Sequence, residues 1–304
     1  MKTVIDFGKY KVEDVPPTLL TVCDESKKEF EPFYWRDILF KPTYGKGNKI
    51  FMKNYVADIR GLKVVLEDDM LFISNSLHKF FKGDNYSDFT RSELIESIDL
   101  LSDNLGVSDD SIVPTFLEFG INTSFLDVTA YLDSMALYKG KSFYPMKKSS
   151  VEYGRKVEMC EVFAKAYDKS KEFLLHYKIP CPINDLLRVE IGLKGKRQLS
   201  FIPSLADLKK EETLRLLRQK LLYYFELIEF DECYNLQGIS NRDLELLYAG
   251  KNPEFWKDYR KSNTEVSKKR RQEYKKLCSE RAMIGLKDEA IQKIKEKTEF
   301  LINN

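Results

Sequence analysis

The nine residues 186–194, LLRVEIGLK, restrict the fold more than any other stretch of this chain. Read as a strand, they alternate with period two, so Arg188 and Glu190 fall on one face and Leu187, Val189 and Ile191 on the other. A sheet holding such a strand has a carboxylate in otherwise apolar surroundings, where an unpaired charge is costly. The segment TFLEFGINTSF (115–125) repeats the problem, with Glu118, Gly120 and Asn122 on one strand face and Gly120 leaving room for a ligand. Each carboxylate therefore needs a partner. Glu190 can pair with Arg188 while Glu118 faces solvent at an edge. Alternatively, Glu118, Glu190 and the Asn122 amide oxygen can hold a divalent ion, a hard-cation set that would polarise a phosphoryl oxygen.

The rest of the chain predicts an α+β fold with a mostly antiparallel sheet and flanking helices. KIFMKNYVADI, LKVVLED and MLFISNS, broken at Arg60-Gly61 and Asp68-Asp69, read as an antiparallel meander. Residues 90–106 read as a helix, with Leu94, Ile98, Leu101 and Leu105 at helical spacing, Thr90 as N-cap, Glu93 completing a capping box and Gly106 as C-cap. A short helix is expected around 127–137, and EMCEVFAKAYDKSKEF is expected to be a strand or the start of a helix. The runs Tyr44-Gly45-Lys46-Gly47 and Gly192-Leu193-Lys194-Gly195 read as turns. Beyond Pro203 the pattern turns to helix almost throughout. This divides the chain into an α+β domain, 1–203, and an all-helical basic region, 204–304, which is either a duplex-recognition module or a helical brace on the sheet.

Several chemistries are excluded. Two histidines, His78 and His176, cannot form a three-His zinc centre or a His-x-x-x-His pair, so any metal must be held largely by oxygen. No G-x-x-x-x-G-K-[ST] or G-x-G-x-x-G occurs, which removes the phosphate cradles of P-loop hydrolases and Rossmann dehydrogenases. The five cysteines, Cys23, Cys160, Cys181, Cys233 and Cys278, are never spaced C-x-x-C and read as reduced, mostly buried thiols. Without a signal-peptide run near Met1–Tyr10 or a long uncharged apolar stretch, the expectation is a cytoplasmic protein with no membrane partner.

The net charge of +2 conceals a partition: −8 over 1–138, +7 over 139–200 and +3 over 201–304. DNA would be repelled by the first part and attracted to the middle and to 255–281, a +6 segment with Phe255, Trp256, Tyr259 and Tyr274 interleaved. Lys147, Lys148, Arg155 and Lys194 in the middle, and Lys268, Lys269, Arg270 and Arg271 in the C-terminal stretch, are candidate phosphate contacts. At the centre of the +7 segment lies Tyr167. If its segment is extended, Lys165 and Lys169 project from the same face, and neighbouring cations favour phenolate over phenol. The bland alternative is a half-buried tyrosine between solvated lysines.

The string AKAYDKSKEF, followed by LLRVEIGLK and preceded by LEFGINTSF, resembles the Tyr-x-Lys, Arg-x-Glu and acidic-strand motifs of rolling-circle replication initiators, namely the filamentous-phage gene II/X proteins and plasmid trans-Rep initiators. The resemblance covers roughly residues 50–200. It implies a metal-dependent tyrosine endonuclease with strand-rejoining activity, acting in a bacterial host cell. Tyr167 would attack a phosphodiester to form a 5′-phosphotyrosyl link, and Lys169 would position or activate the phosphate. Glu190, with Arg188 beside it, would ligate Mg²⁺ or Mn²⁺ together with Glu118 or Asn122, and Lys165 and Arg188 would contact DNA. The acidic strand departs from the phage pattern of Arg-x-Asp, leaving Glu118 and Asn122 as alternatives for the acidic position. The implied substrate is single-stranded or melted origin DNA, with duplex origin DNA engaged through the C-terminal region. A homodimer and a host helicase or polymerase are admitted as further partners. The competing functions are a non-enzymatic DNA-binding or regulatory protein and a nuclease that uses metal-activated water.

Overall fold

The structure is a computed structural model that describes residues 5–29, 31–44, 52–231, 233–262, 264–283 and 285–304. Gly45, Lys46 and Gly47 of the first glycine turn lie outside the described residues.

Strand β1 (Ile5–Val12) leads through helix α1 (Pro17–Glu29) to β2 (Phe33–Trp35), β3 (Ile38–Tyr44), β4 (Met52–Ile59), β5 (Leu62–Glu67) and β6 (Met70–Asn75). β4, β5 and β6 form the expected meander, whose first residues, Lys49, Ile50 and Phe51, lie outside the described residues. Its turns fall where read, with Arg60 and Asp68 in the left-handed region (φ 49° and 51°). Helices α2 (Leu77–Lys82) and α3 (Arg91–Leu105) follow. The Thr90 hydroxyl accepts from Glu93 N, the Glu93 carboxylate accepts from Thr90 N, and Gly106 closes the helix at φ 64°, so the sequence-level caps of α3 form as expected.

Then come β7 (Ile112–Ser124), α4 (Val128–Ser134), β8 (Met135–Tyr138), β9 (Lys141–Ser142), β10 (Tyr144–Lys148), β11 (Val151–Glu158), β12 (Val162–Asp168), α5 (Lys169–Tyr177), β13 (Leu186–Lys194) and α6 (Gly195–Leu199). The chain ends with α7 (Glu211–Glu226), β14 (Ile228–Phe230), α8 (Asn241–Ala249), α9 (Pro253–Ser262), α10 (Thr264–Arg281) and α11 (Leu286–Asn303). Eleven strands form one antiparallel sheet in the order β10-β11-β12-β13-β7-β1-β6-β5-β4-β3-β2, and β14-β8-β9 form a small second sheet. The fold is α+β.

Four details depart from the sequence reading. The helix expected over 127–137 stops at Ser134, because Met135–Tyr138 pairs with β14 instead. For the same reason the C-terminal region is not entirely helical: Ile228, Glu229 and Phe230 leave α7 and are buried as a strand. Gly192, Leu193 and Lys194 continue the ladder of β13, and the turn begins only at Gly195, φ 79°. Of the cysteines, Cys23 and Cys181 are buried but Cys160 and Cys233 are exposed, and all five are free.

The core lies against one face of the sheet. Phe119, Ile121, Val189 and Ile191 share it with Leu214, Leu217, Leu221 and Phe225 of α7 and with Ile294, Leu301 and Ile302 of α11. These two helices brace the sheet. A separate, smaller cluster of Leu137, Leu246, Trp256 and Tyr274 holds α8, α9 and α10. With the apolar side chains of β7 and β13 committed to the brace, their charged residues are all directed to the opposite face.

Candidate active site on the polar face of the sheet

Register brings the sequence motifs together. Antiparallel pairing of β12 with β13 sets Tyr167 opposite Arg188, Lys165 opposite Glu190 and Phe163 opposite Gly192. On the other flank of β13, β7 sets Asn122 opposite Arg188, Gly120 opposite Glu190 and Glu118 opposite Gly192. Residues directly opposed in an antiparallel ladder share a face, so all six polar side chains lie on one side of three adjacent strands.

The charges form a continuous chain. Lys165 Nζ lies 2.9 Å from Glu118 Oε2 and 2.7 Å from Glu190 Oε2. Arg188 Nε donates to Glu190 Oε1 at 2.5 Å, and Arg188 Nη1 donates to the Asn85 carbonyl at 2.8 Å, tying the segment after α2 over the site. Arg188 and Glu190 have no exposed surface, and the side chains of Lys165 and Glu118 are 15% exposed. Two carboxylates and two cations sum to zero, which is how a strand interior tolerates four charges. Burial alone would favour neutral Lys165, but Glu190 and Glu118 outweigh it and hold the ammonium's pKa above its ordinary value.

Tyr167 sits beside this chain and is 5% exposed. Lys165 Nζ is 5.7 Å from its ring centroid, and the Tyr153 ring packs edge-on against it at 6.0 Å. Gly154 on β11 stands opposite Tyr167, and a Cβ there would collide with the tyrosine's own Cβ, so β11 can pass this ring only with glycine. Burial, then the Glu172 carboxylate, push the Tyr153 phenol up, against a smaller downward pull from Lys165. Tyr153 is thereby held as a neutral phenol. Asp168 ends β12 and caps α5, accepting from Lys171 N at 2.8 Å. Lys169 is 2% exposed and pairs with Glu172 at 2.7 Å within the first turn of that helix.

The candidate phosphate contacts are dispersed and mostly paired. On the edge hairpin, Lys147 lies 4.0 Å from Glu152, and Arg155 pairs with Asp133 at 2.9 Å and with Glu152. In α10, Lys268 pairs with Glu265 at 2.6 Å, Arg270 with Glu273 at 2.8 Å and Arg271 with Glu229 at 2.7 Å. Lys148 and Lys269 form no ion pair among the described residues, and Lys194 is exposed at the end of β13. Lys165 and Arg188, read as DNA contacts, have their charges turned inward to Glu118 and Glu190.

Of the residues read as metal ligands, Glu118 and Glu190 converge and carry the oxygens a hard divalent ion takes, whereas Asn122 lies opposite Arg188, about 13 Å along β7 from Glu118. Two carboxylates converge on a single cationic point, which Lys165 Nζ fills. The Asn122 side chain has no exposed surface, and neither its Oδ1 nor its Nδ2 has a hydrogen-bond partner among the described residues. The space above Gly120, read from the sequence as room for a ligand, is taken by β13: a Cβ there would strike the Val189 carbonyl and lie 2.6 Å from Glu190 Cγ. No cluster of three or more His, Cys, Asp or Glu occurs among the described residues, so such an ion would keep much of its water, as Mg²⁺ commonly does. A cleft of about 340 Å³ lies between Asn122–Ser124 at the end of β7 and Lys293, Glu296, Lys297 and Phe300 of α11, and Glu118, Lys165 and Glu190 do not line it.

Sequence reasoning found Tyr167, Arg188, Glu190, Glu118 and Asn122 but not the bridge made by Lys165, the cap made by Asp168 or the clearance made by Gly154. One signal was present: period two puts Lys165 with Tyr167, and Arg188 with Glu190, so pairing the two strings in register would have opposed Lys165 to Glu190. No family model matches the sequence, and no curated protein matches it. No helix among the described residues is long and apolar enough to cross a membrane.

Proposed function

We propose that this chain nicks and rejoins single-stranded or melted DNA through a phosphotyrosyl intermediate at Tyr167, as a rolling-circle replication initiator would. The observation that supports this most is the juxtaposition on one sheet face of a tyrosine, an arginine directly opposite it and a carboxylate pair on the adjoining positions. In this reading Tyr167 Oη attacks phosphorus, the bond from phosphorus to the 3′-oxygen breaks, and the leaving oxygen takes a proton as the phenol gives one up. The products are a 5′-phosphotyrosyl ester and a free 3′-hydroxyl. Because one phosphate ester replaces another, the 3′-hydroxyl can attack the link again and reseal the strand without nucleotide hydrolysis.

Arg188, held by Glu190 and the Asn85 carbonyl, would act as a fixed buried positive charge opposite Tyr167. Glu118 and Glu190 would hold Mg²⁺ or Mn²⁺, which when bound would polarise a phosphoryl oxygen. Lys169, paired with Glu172, would contribute positive potential at the start of α5. For DNA to reach Tyr167, the edge-on Tyr153 ring must swing aside.

Incubation with single-stranded oligonucleotides and Mn²⁺, followed by a denaturing gel and peptide mapping, tests the proposal. The expected result is a protein–DNA species that survives denaturation, with the modified peptide containing Tyr167. The burial of Tyr167 favours one competing function, a DNA-binding protein without cleavage. That reading predicts salt-sensitive, chelator-insensitive binding and no covalent species in the same experiment.

A further inference from the structure

We infer that Lys165 is a built-in counter-ion which a divalent metal must displace, so that metal binding and release of the lysine ammonium are one event. The inference rests on the proposed metal site at Glu118 and Glu190, and it concerns what that site contains before metal arrives.

Three observations carry it. The Lys165 ammonium is within 3 Å of both carboxylates, 2.9 Å from Glu118 and 2.7 Å from Glu190, and so occupies the point on which they converge. The local charge already sums to zero with Arg188 included, so adding a dication beside the ammonium would leave +2 in a largely buried site. A further polar group on the same face is unused, since the Asn122 amide, opposite Arg188, is buried with neither atom hydrogen-bonded among the described residues. An ammonium is a single charge on a flexible stem and can leave by rotation of its side chain, which the fixed guanidinium of Arg188, tied to Asn85 O, cannot do as readily. The position of Lys165, two residues before Tyr167 on the same strand face, gives displacement a consequence. The freed ammonium would lie next to the phenol and the phosphate that Tyr167 attacks, so cation loading would prepare the nucleophile's surroundings.

Mn²⁺ binding, followed by electron paramagnetic resonance and thermal shift, tests this without reference to cleavage. Lys165→Met and Lys165→Gln should bind Mn²⁺ at least about tenfold more tightly than the unaltered chain, because a competing charge a few ångströms away is gone. Lys165→Arg, which keeps the charge, should not. Adding Glu190→Gln to either neutral variant should abolish the gain. In the unaltered chain, saturating Mg²⁺ should increase acetylation of Lys165 measured by peptide mass spectrometry, a readout independent of whether the variants fold. Equal or tighter binding by the unaltered chain, or unchanged Lys165 acetylation at concentrations that raise its melting temperature, overturns the displacement while leaving the metal site standing. Absence of Mn²⁺ binding in the unaltered chain and in folded neutral variants overturns both.

Discussion

The charged residues of this protein occupy two settings, and the same residue types behave differently in each. On the polar face of β7, β12 and β13, Arg188 and Glu190 are fully buried, Lys165 and Glu118 nearly so, and the four charges are matched one against another. On the β10–β11 edge and along α10 the pairs are more open: Lys147 and Lys268 meet Glu152 and Glu265 in water, while Arg155, Arg270 and Arg271 are half-buried against their partners. Buried pairs are costly to break because the surviving partner keeps its desolvation penalty, whereas exposed pairs contribute about 0–1 kcal/mol and are screened by salt. Positive charge in the sequence is therefore a poor guide to where function sits. The middle segment carries +7, yet the cluster proposed as the site has a net charge of zero.

The sharpest way to break this contrast is to remove one charge from each setting. Glu190→Ala should destabilise the fold by about 3–5 kcal/mol in urea unfolding, since it removes the carboxylate that Arg188 and Lys165 share and leaves two cations against Glu118 alone. Lys268→Ala should change stability by no more than about 0.5 kcal/mol. Comparable effects would show that the two settings do not differ as described. Gly120→Ala comes next: its Cβ meets the Val189 backbone, which cannot move aside like a side chain, so a loss of about 1–3 kcal/mol is expected. An unchanged melting curve would mean that the polar face is loosely packed. Thr90→Ala, removing the α3 cap away from the site, should cost about 1 kcal/mol and sets the scale for an ordinary local defect.

A pH titration sharpens the comparison at lower amplitude. Lys165 has its folded pKa raised by Glu190 and Glu118 against the opposing effect of burial. Its contribution to stability is fully present below the unfolded lysine value of about 10.4 and is lost as pH rises through the higher folded value. The stability difference between the unaltered chain and Lys165→Met should thus be constant through neutral pH and shrink only on the strongly alkaline side. A difference that shrank between pH 6 and 8 would contradict the ion-paired ammonium.

Much of the sheet was legible because its signals are local. LLRVEIGLK shows its alternation within nine residues, and α3 carries both caps in its own sequence. The site was legible only in pieces. Glu118, Lys165 and Glu190 meet through two strand registers that no single segment encodes, so the bridge between them could not be read from any one motif. β14 was hidden for a related reason: Ile228–Phe230 continues the apolar spacing of α7 and becomes a strand only because β8 offers it a ladder.

The central claim is that Tyr167 is the group that becomes joined to DNA, and replacing that one oxygen tests it most directly. Tyr167→Phe and Tyr153→Phe should both fold and bind single-stranded DNA. With Mn²⁺ and an oligonucleotide, the unaltered chain and Tyr153→Phe should give a covalent species on a denaturing gel, and Tyr167→Phe should give none. A covalent species from Tyr167→Phe, or none from the unaltered chain, would contradict the account.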